Sequence, residues 1–166
     1  MIAIKKVLVA TDFGPASETA LNYGRALAGL LGGALHVMHV TENVYLAAAN
    51  GYGHAYMPPE LQRDIEHAAQ EQTESLLTEE DRRTLQAKAV TVTFNTPAAA
   101  IVEYAKTNNV DLIVLGTHGR GAFSHLFMGS VAERVVRTAP CPVLTVRNPE
   151  HEFVLPDALV AVSRTT

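Results

Sequence analysis

Short continuous apolar runs and helically spaced apolar positions alternate along the chain. Val7-Leu8-Val9-Ala10 is a compact run ending at Thr11-Asp12. Ala20, Gly24, Leu27 and Leu31 then recur at helical intervals, and Gly32-Gly33 is placed to close that helix as a glycine C-cap. Leu35 to Val40 reads as a second strand. Pro58-Pro59 opens a long amphipathic helix with a buried stripe of Leu61, Ile65, Ala68 and Leu76. Lys88 to Phe94 alternates polar and β-branched residues and reads as a third strand. Thr96-Pro97 has the form of an N-cap followed by proline at the first helical position, with Ile101, Val102 and Ala105 behind it. Leu112-Ile113-Val114-Leu115 and Val143-Leu144-Thr145-Val146 are the fourth and fifth strands, separated by a glycine-rich loop and a helix over Ser130 to Thr138. Five strands alternating with four helices predict an α/β fold: an open parallel sheet with right-handed crossovers and helices on both faces. The runs at Val7 and Leu112 are apolar on both faces, as strands covered from each side must be.

Length and charge narrow the picture. The 166 residues, 48% of them hydrophobic, fit one domain, and 17 acids against 13 bases give a net charge of -4. That balance argues against a general nucleic-acid binder, which needs a surplus of Lys and Arg, but not against a single nucleotide. Cys141 is the only cysteine, so no intrachain disulfide forms, in keeping with a reducing cytoplasm. Met1 to Lys6 lacks the order of a signal peptide, and no apolar run approaches the roughly 20 residues of a membrane span. A cytoplasmic protein without membrane partners is expected. Two stretches fit the alternation poorly: the connection Asn43 to Met57, with Tyr45, Tyr52 and Tyr56, and the tail Asn148 to Thr166.

In an open α/β sheet, ligands bind beyond the carboxyl ends of the strands, where the strand order reverses. Ala10-Thr11-Asp12 leaves the first strand and Gly116-Thr117-His118-Gly119 the fourth, with Gly129-Ser130 opening the next helix. Glycines let a backbone approach a ligand closely, and a helix start favours anions. Gly116, Gly119, Gly129 and Ser130 therefore describe either a phosphate cradle or an ordinary glycine loop with a helix N-cap.

The spacing Gly116-x2-Gly119-x9-Gly129-Ser130 resembles the nucleotide-binding motif of the universal stress protein family. Lys6 to Asp12 is similar to that family's first strand with its acidic end, and His39-Val40-Thr41-Glu42 to the end of its second. Asp111 to Gly116 and Pro140 to Val146 are similar to its fourth and fifth strands. The resemblance runs from Ile4 to Arg147, so a domain over 1–147 is expected, with 148–166 as a tail of unassigned structure. It implies a Rossmann-like sheet of order 3-2-1-4-5, a homodimer paired through the fifth strands, and membership of the ATP-binding subgroup that keeps the glycine motif. By position, it places the adenosine half on Asp12 and the Val40 backbone, with Ala10 and Thr11 lining the pocket. Leu115, Gly116 and Gly119 would follow the ribose and phosphates, and Gly129, Ser130 and Val131 would donate to the phosphate tail. Arg120, inside the loop, is placed to neutralise phosphate charge. The expected ligand is ATP, with ADP or AMP not distinguished, and a magnesium ion carried by the phosphates with Asp12 or Ser130. One departure is the third-strand exit, Asn95-Thr96-Pro97, where Asn would take a left-handed position that glycine normally fills.

Other chemistries fit less well. A phospho-acceptor receiver needs paired acids at the first strand and an aspartate after the third, but the chain has Thr11-Asp12 and Phe94-Asn95. Neither Gly-x-Gly-x-x-Gly after the first strand nor Gly-x4-Gly-Lys-Ser/Thr is present. Asp12 could instead be a solvent-facing N-cap. His36 and His39, three apart on a strand, point to opposite faces and cannot share an ion, and no protein-built metal site is assigned. His118 and His125 flank the loop and could touch phosphate. Cys141 between two prolines reads as a small buried residue, and Ser17 and Ser130 lack a partner base. No residue is fixed by motif to orient an attacking water, so binding with little or slow hydrolysis is expected. The functional reading is a nucleotide-dependent switch or sensor with an unknown protein partner. The alternatives are a non-nucleotide dimeric interaction protein for stress survival and a true ATPase or phosphotransferase.

Overall fold

The two runs that are apolar on both faces become neighbours at the centre of the sheet. In the computed structural model, which describes residues 2–50, 58, 60–117 and 128–148, β1 (Lys6–Thr11) pairs with β2 (Ala34–Thr41) on one side and β4 (Leu112–Gly116) on the other. β3 (Lys88–Thr93) lies outside β2 and β5 (Val143–Val146) outside β4, so the order is β3-β2-β1-β4-β5 with every pair parallel. This is the parallel α/β sheet that the hydrophobic pattern predicts, in the Rossmann-like order that the family resemblance implies.

Strand periodicity sends alternate residues to two separate cores. Val7, Val9, Leu35, Val37 and Val114 pack beneath α1 (Pro15–Leu31), all with no exposed surface. Leu8, Met38, Ile113 and Leu115 face α5 (Pro97–Thr107) and α6 (Ser130–Thr138), where Ile101, Ala105, Ala132 and Val135 meet them. Burial of each such Val, Leu, Ile or Met side chain stabilises the fold by about 1.5–3 kcal/mol. α1 begins with proline after an extended Gly14 and ends where Gly32 takes φ 65°, the predicted glycine C-cap.

Six helices, not four, occur among the described residues. α2 (Val44–Asn50) is capped by Asn43, whose Oδ1 accepts from the amides of Tyr45 and Leu46 at 3.1 Å. α4 (Glu79–Thr84) carries a reciprocal capping box between Thr78 and Asp81. Arg25 of α1 ties this turn down, its Nε lying 3.1 Å from both Asp81 oxygens. Burial pushes the Asp81 carboxyl up, but the hydrogen bonds from Arg25 and Thr78 and the Arg25 charge hold it below the usual carboxylate range.

The predicted stripe on α3 (Leu61–Ser75) needs correction. Ala68 is exposed, and Leu61, Ile65 and Leu76 are only partly buried, whereas Gln62, Ala69 and Thr73 form the buried face. The reason lies opposite: β3 presents hydroxyls. Thr91 Oγ1 donates to Thr73 Oγ1 at 3.3 Å, and Thr93 Oγ1 to Glu66 Oε1 at 2.6 Å. Hydrogen bonds from Thr93 and Gln62 hold the Glu66 carboxyl below its ordinary value.

Asn148 leaves β5 with its Nδ2 donating to Pro15 O at 3.2 Å and Thr19 Oγ1 at 3.0 Å. The remainder of the predicted tail, and residues 51–57 of the long connection, lie outside the described residues. No helix among the described residues is long and apolar enough to cross a membrane.

Candidate functional site

At the carboxyl ends of the strands, where β1 sends its connections to one side and β4 to the other, a cleft of about 440 Å³ opens. Its lining includes Ala10, Thr11, Asp12, Val40, Leu115, Gly116, Gly129, Ser130 and Val131. These predicted site residues, from three strands and one helix, are brought to one place by the sheet order. Gly119 and Arg120, also predicted, lie outside the described residues, as do His118 and His125.

The cleft has an apolar side and a polar side. Met38, Val40, Ile101 and Leu115 supply a hydrocarbon surface, while Thr11, Asp12, Thr117 and Ser130 supply polar atoms. Asp12 is not the N-cap of α1; Gly14 holds that place. The Asp12 carboxylate closes a small turn instead, Oδ1 accepting from Gly14 N at 3.0 Å. Thr11 is buried, its Oγ1 accepting from the Phe13 amide at 3.0 Å and lying 3.1 Å from Ser17 Oγ. Ser17 Oγ donates to Gly14 O at 2.8 Å, so this hydroxyl is committed to the turn.

On the far side, Gly129 N donates to Thr117 O at 2.7 Å, fixing the entry of α6 against the exit of β4. The first intrahelical bond follows from Glu133 N to Gly129 O at 2.9 Å. The amides of Ser130, Val131 and Ala132 precede it, and Gly129 provides no side-chain cap. A helix start of this kind concentrates N–H donors and positive potential at the mouth of the cleft. Asp12 and the α6 amides thus stand as an acceptor and a set of donors around one space.

Thr96 does occupy the N-cap of α5, as predicted, but its hydroxyl makes no capping bond, and its carbonyl accepts from the amides of Ala99 and Ala100. Asn95 is not left-handed; the non-glycine residues with positive φ are Phe13, Gln86 and Asn109 among those described. Its role is a side-chain one: Oδ1 accepts from Asn43 N at 3.0 Å, clasping the β2 and β3 exits together at the rim.

Comparison with known proteins gives this geometry its lineage. The model of the universal stress protein family matches residues 3–147. The chain belongs to the universal stress protein family. It is 36% identical over 149 residues to a universal stress protein from Thermus aquaticus, covering 86% of this chain and 98% of that one. Among solved structures, the universal stress protein UspA from Lactobacillus plantarum shares the fold with a TM-score of 0.68 at 24% identity, over 87% of this chain and 99% of that one. A universal stress protein from Archaeoglobus fulgidus, solved in complex with dAMP, does so with a TM-score of 0.53 at 23% identity, over 87% and 98%.

In this universal stress protein the cleft is lined by several residues that the sequence motif does not name: Ser17, Met38, His39, Pro97, Ile101 and Thr117. Two carried a signal. Met38 precedes Val40 by two on one strand and so shares its face, and Ile101 lies one turn into the helix that Pro97 opens. His36 and His39 do fall on opposite faces: His36 Nδ1 is 2.8 Å from Tyr104 Oη beneath α5, while His39 meets the β1–α1 turn. No group of three or more His, Cys, Asp or Glu side chains able to hold a metal occurs among the described residues. Cys141 is only part-buried, and burial, with Asp111 nearby, pushes its thiol up, away from nucleophile character.

Proposed function

We propose that the cleft binds an adenine nucleotide, ATP carried with magnesium, and that the bound state acts as a switch for an unknown protein partner, with little or slow hydrolysis. The observation that carries this reading is the placement of Asp12 and the opening amides of α6 around one partly apolar cleft. A ribose needs an acceptor, a phosphate needs donors, and a base needs an apolar slot. On this reading the ribose lies at Asp12, the base lies against Met38, Val40 and Ile101, and the phosphates run past Gly116 to Gly129, Ser130 and Val131. Gly119 and Arg120 would complete the cradle by the resemblance of the motif. A family member of the same fold has been solved with dAMP, in keeping with this choice of base. Magnesium would be held chiefly by phosphate oxygens, with Asp12 or Ser130 as its protein contact. We further propose a homodimer through β5 in a cytoplasmic protein.

The test is calorimetric titration of the purified protein with ATP and magnesium, beside a Gly129→Arg, Ser130→Glu double variant of unchanged circular dichroism. Saturable one-to-one binding by the wild type, abolished in the variant by bulk and negative charge at the helix start, is the expected result. A wild type that takes up neither ATP nor AMP would sink the nucleotide reading and leave a dimeric interaction protein in its place.

A further inference from the structure

The turn that presents Asp12 sits in a conformation its sequence disfavours. Phe13 has φ 63°, in the left-handed region, where a bulky side chain crowds its own backbone. Such a backbone persists only where its surroundings over-determine it. Part of the support is local, from the amide bonds of Phe13 to Thr11 Oγ1 and of Gly14 to Asp12 Oδ1, both 3.0 Å. From outside the turn, on the neighbouring strand β2, His39 reaches it twice. Its Nδ1 lies 2.8 Å from the carbonyl oxygen of Thr11, and its ring lies against the Phe13 ring with centroids 4.3 Å apart at 36°. A carbonyl oxygen only accepts, so Nδ1 carries the hydrogen and donates. One side chain thus holds the residue before Asp12 by its backbone and the residue after it by its ring.

We infer that His39 is a positioning residue for Asp12, acting through Thr11 and Phe13 to aim the carboxylate into the cleft. The geometry explains why a histidine suits this place. The grip needs a donor at the δ position and a flat face beside it, and the imidazole offers both on one rigid ring. Leucine would fill the space without donating. Asparagine would place its Nδ2–H where Nδ1–H stands but would lose the ring face. The consequence for binding rests on the nucleotide reading of the cleft; the consequence for the turn does not.

The experiment follows the amide signals of Phe13 and Gly14 by ¹H–¹⁵N NMR in wild type, His39→Leu and His39→Asn, with ¹⁵N detection of the wild-type His39 ring. The same three proteins are titrated with ATP and magnesium. His39→Leu is expected to displace or broaden both amides and to weaken ATP about tenfold, a change of about 1.4 kcal/mol. His39→Asn is expected to bring the amides back toward their wild-type positions and to recover most of the affinity, a rescue that a space-filling role alone does not give. The inference is overturned if wild-type Nδ1 carries no hydrogen, if His39→Leu leaves both amides in place, or if His39→Asn displaces them as far as leucine does. Should the wild type bind no ATP, the proposed function fails, while the ring and amide signals still decide the positioning role.

Discussion

At Gly116, β4 passes so close to α1 that a Cβ built there would lie 2.8 Å from Ala16 Cβ and 2.9 Å from the Ala16 carbonyl carbon. Backbone cannot yield as the end of a side chain can, so this glycine is demanded by packing whether or not a ligand binds. Gly129 is different: its φ of −62° and ψ of 150° suit any residue. Gly116→Ala is therefore expected to destabilise the unliganded protein by about 1–3 kcal/mol in urea unfolding, as overpacking does. Gly129→Ala, at an N-cap where alanine is less favoured than glycine, should lose less than about 1 kcal/mol in the same assay. Equal losses in the two variants would refute the distinction. The motif made both glycines visible in the sequence but not their separate reasons, because Gly116's reason is a contact with Ala16, one hundred residues away in the chain. His39 was missed for a related cause: its partners, Thr11 and Phe13, belong to the adjacent strand and its turn.

Among the elements, β5 is the edge strand through which the proposed dimer would form. The sheet ends at β3 on one side and β5 on the other, and the two edges differ in character. β3 carries Lys88, Thr91 and Thr93, whereas β5 is Val-Leu-Thr-Val with its first three residues only partly buried. The carbonyls of Pro142 and Val146 accept from Ile113 of β4 and from Thr117 just past it, so by strand alternation Val143 and Thr145 turn their backbone groups away from β4. An apolar edge of this kind invites a second strand. Thr145→Pro removes one outward-facing N–H while sparing the β4 ladder, a substitution that edge strands accommodate. If the proposed dimer forms, this variant is expected to lower its population by sedimentation velocity with circular dichroism unchanged; an unaltered dimer would place the contact elsewhere, and a monomeric wild type would sink the dimer proposal. The strands were legible because each is apolar on two faces or alternates cleanly. The helices were less so. α4 was missed although Thr78 and Asp81 spell a capping box, because a six-residue polar helix has no periodicity to read. The α3 stripe was misread because a hydrophobic pattern cannot report that β3 offers threonine hydroxyls to Glu66 and Thr73, or that Gln62 donates to Glu66 beside them.

For the molecule as a whole, the pair that joins sheet to helix on the α5 face makes stability depend on pH. His36 sits on β2 with only 9% of its surface exposed, its Nδ1 bonded to Tyr104 of α5. Burial lowers the His36 pKa, and the charges of Lys6 and Lys88 lower it further; burial also pushes the Tyr104 hydroxyl up, so both partners stay neutral near pH 7. In the unfolded chain the imidazole returns to its ordinary value near 6.5. As pH falls below 6.5, the unfolded state takes up a proton that the folded state still refuses, and stability declines until the folded pKa is reached. The contribution is therefore complete above about pH 6.5 and is lost on the acid side, the reverse of a histidine held by a carboxylate. The urea midpoint of the wild type should fall between pH 7.5 and 5.5, with His36→Asn falling less, the difference isolating His36 from other groups that titrate over this range. Although Met38, Val40 and Ile101 share the α5 face with this pair, neither His36 nor Tyr104 lines the cleft, so the pH-dependent difference should be the same with and without ATP. A difference that vanishes when ATP is present would mean that the α5 face and the cleft titrate as one unit.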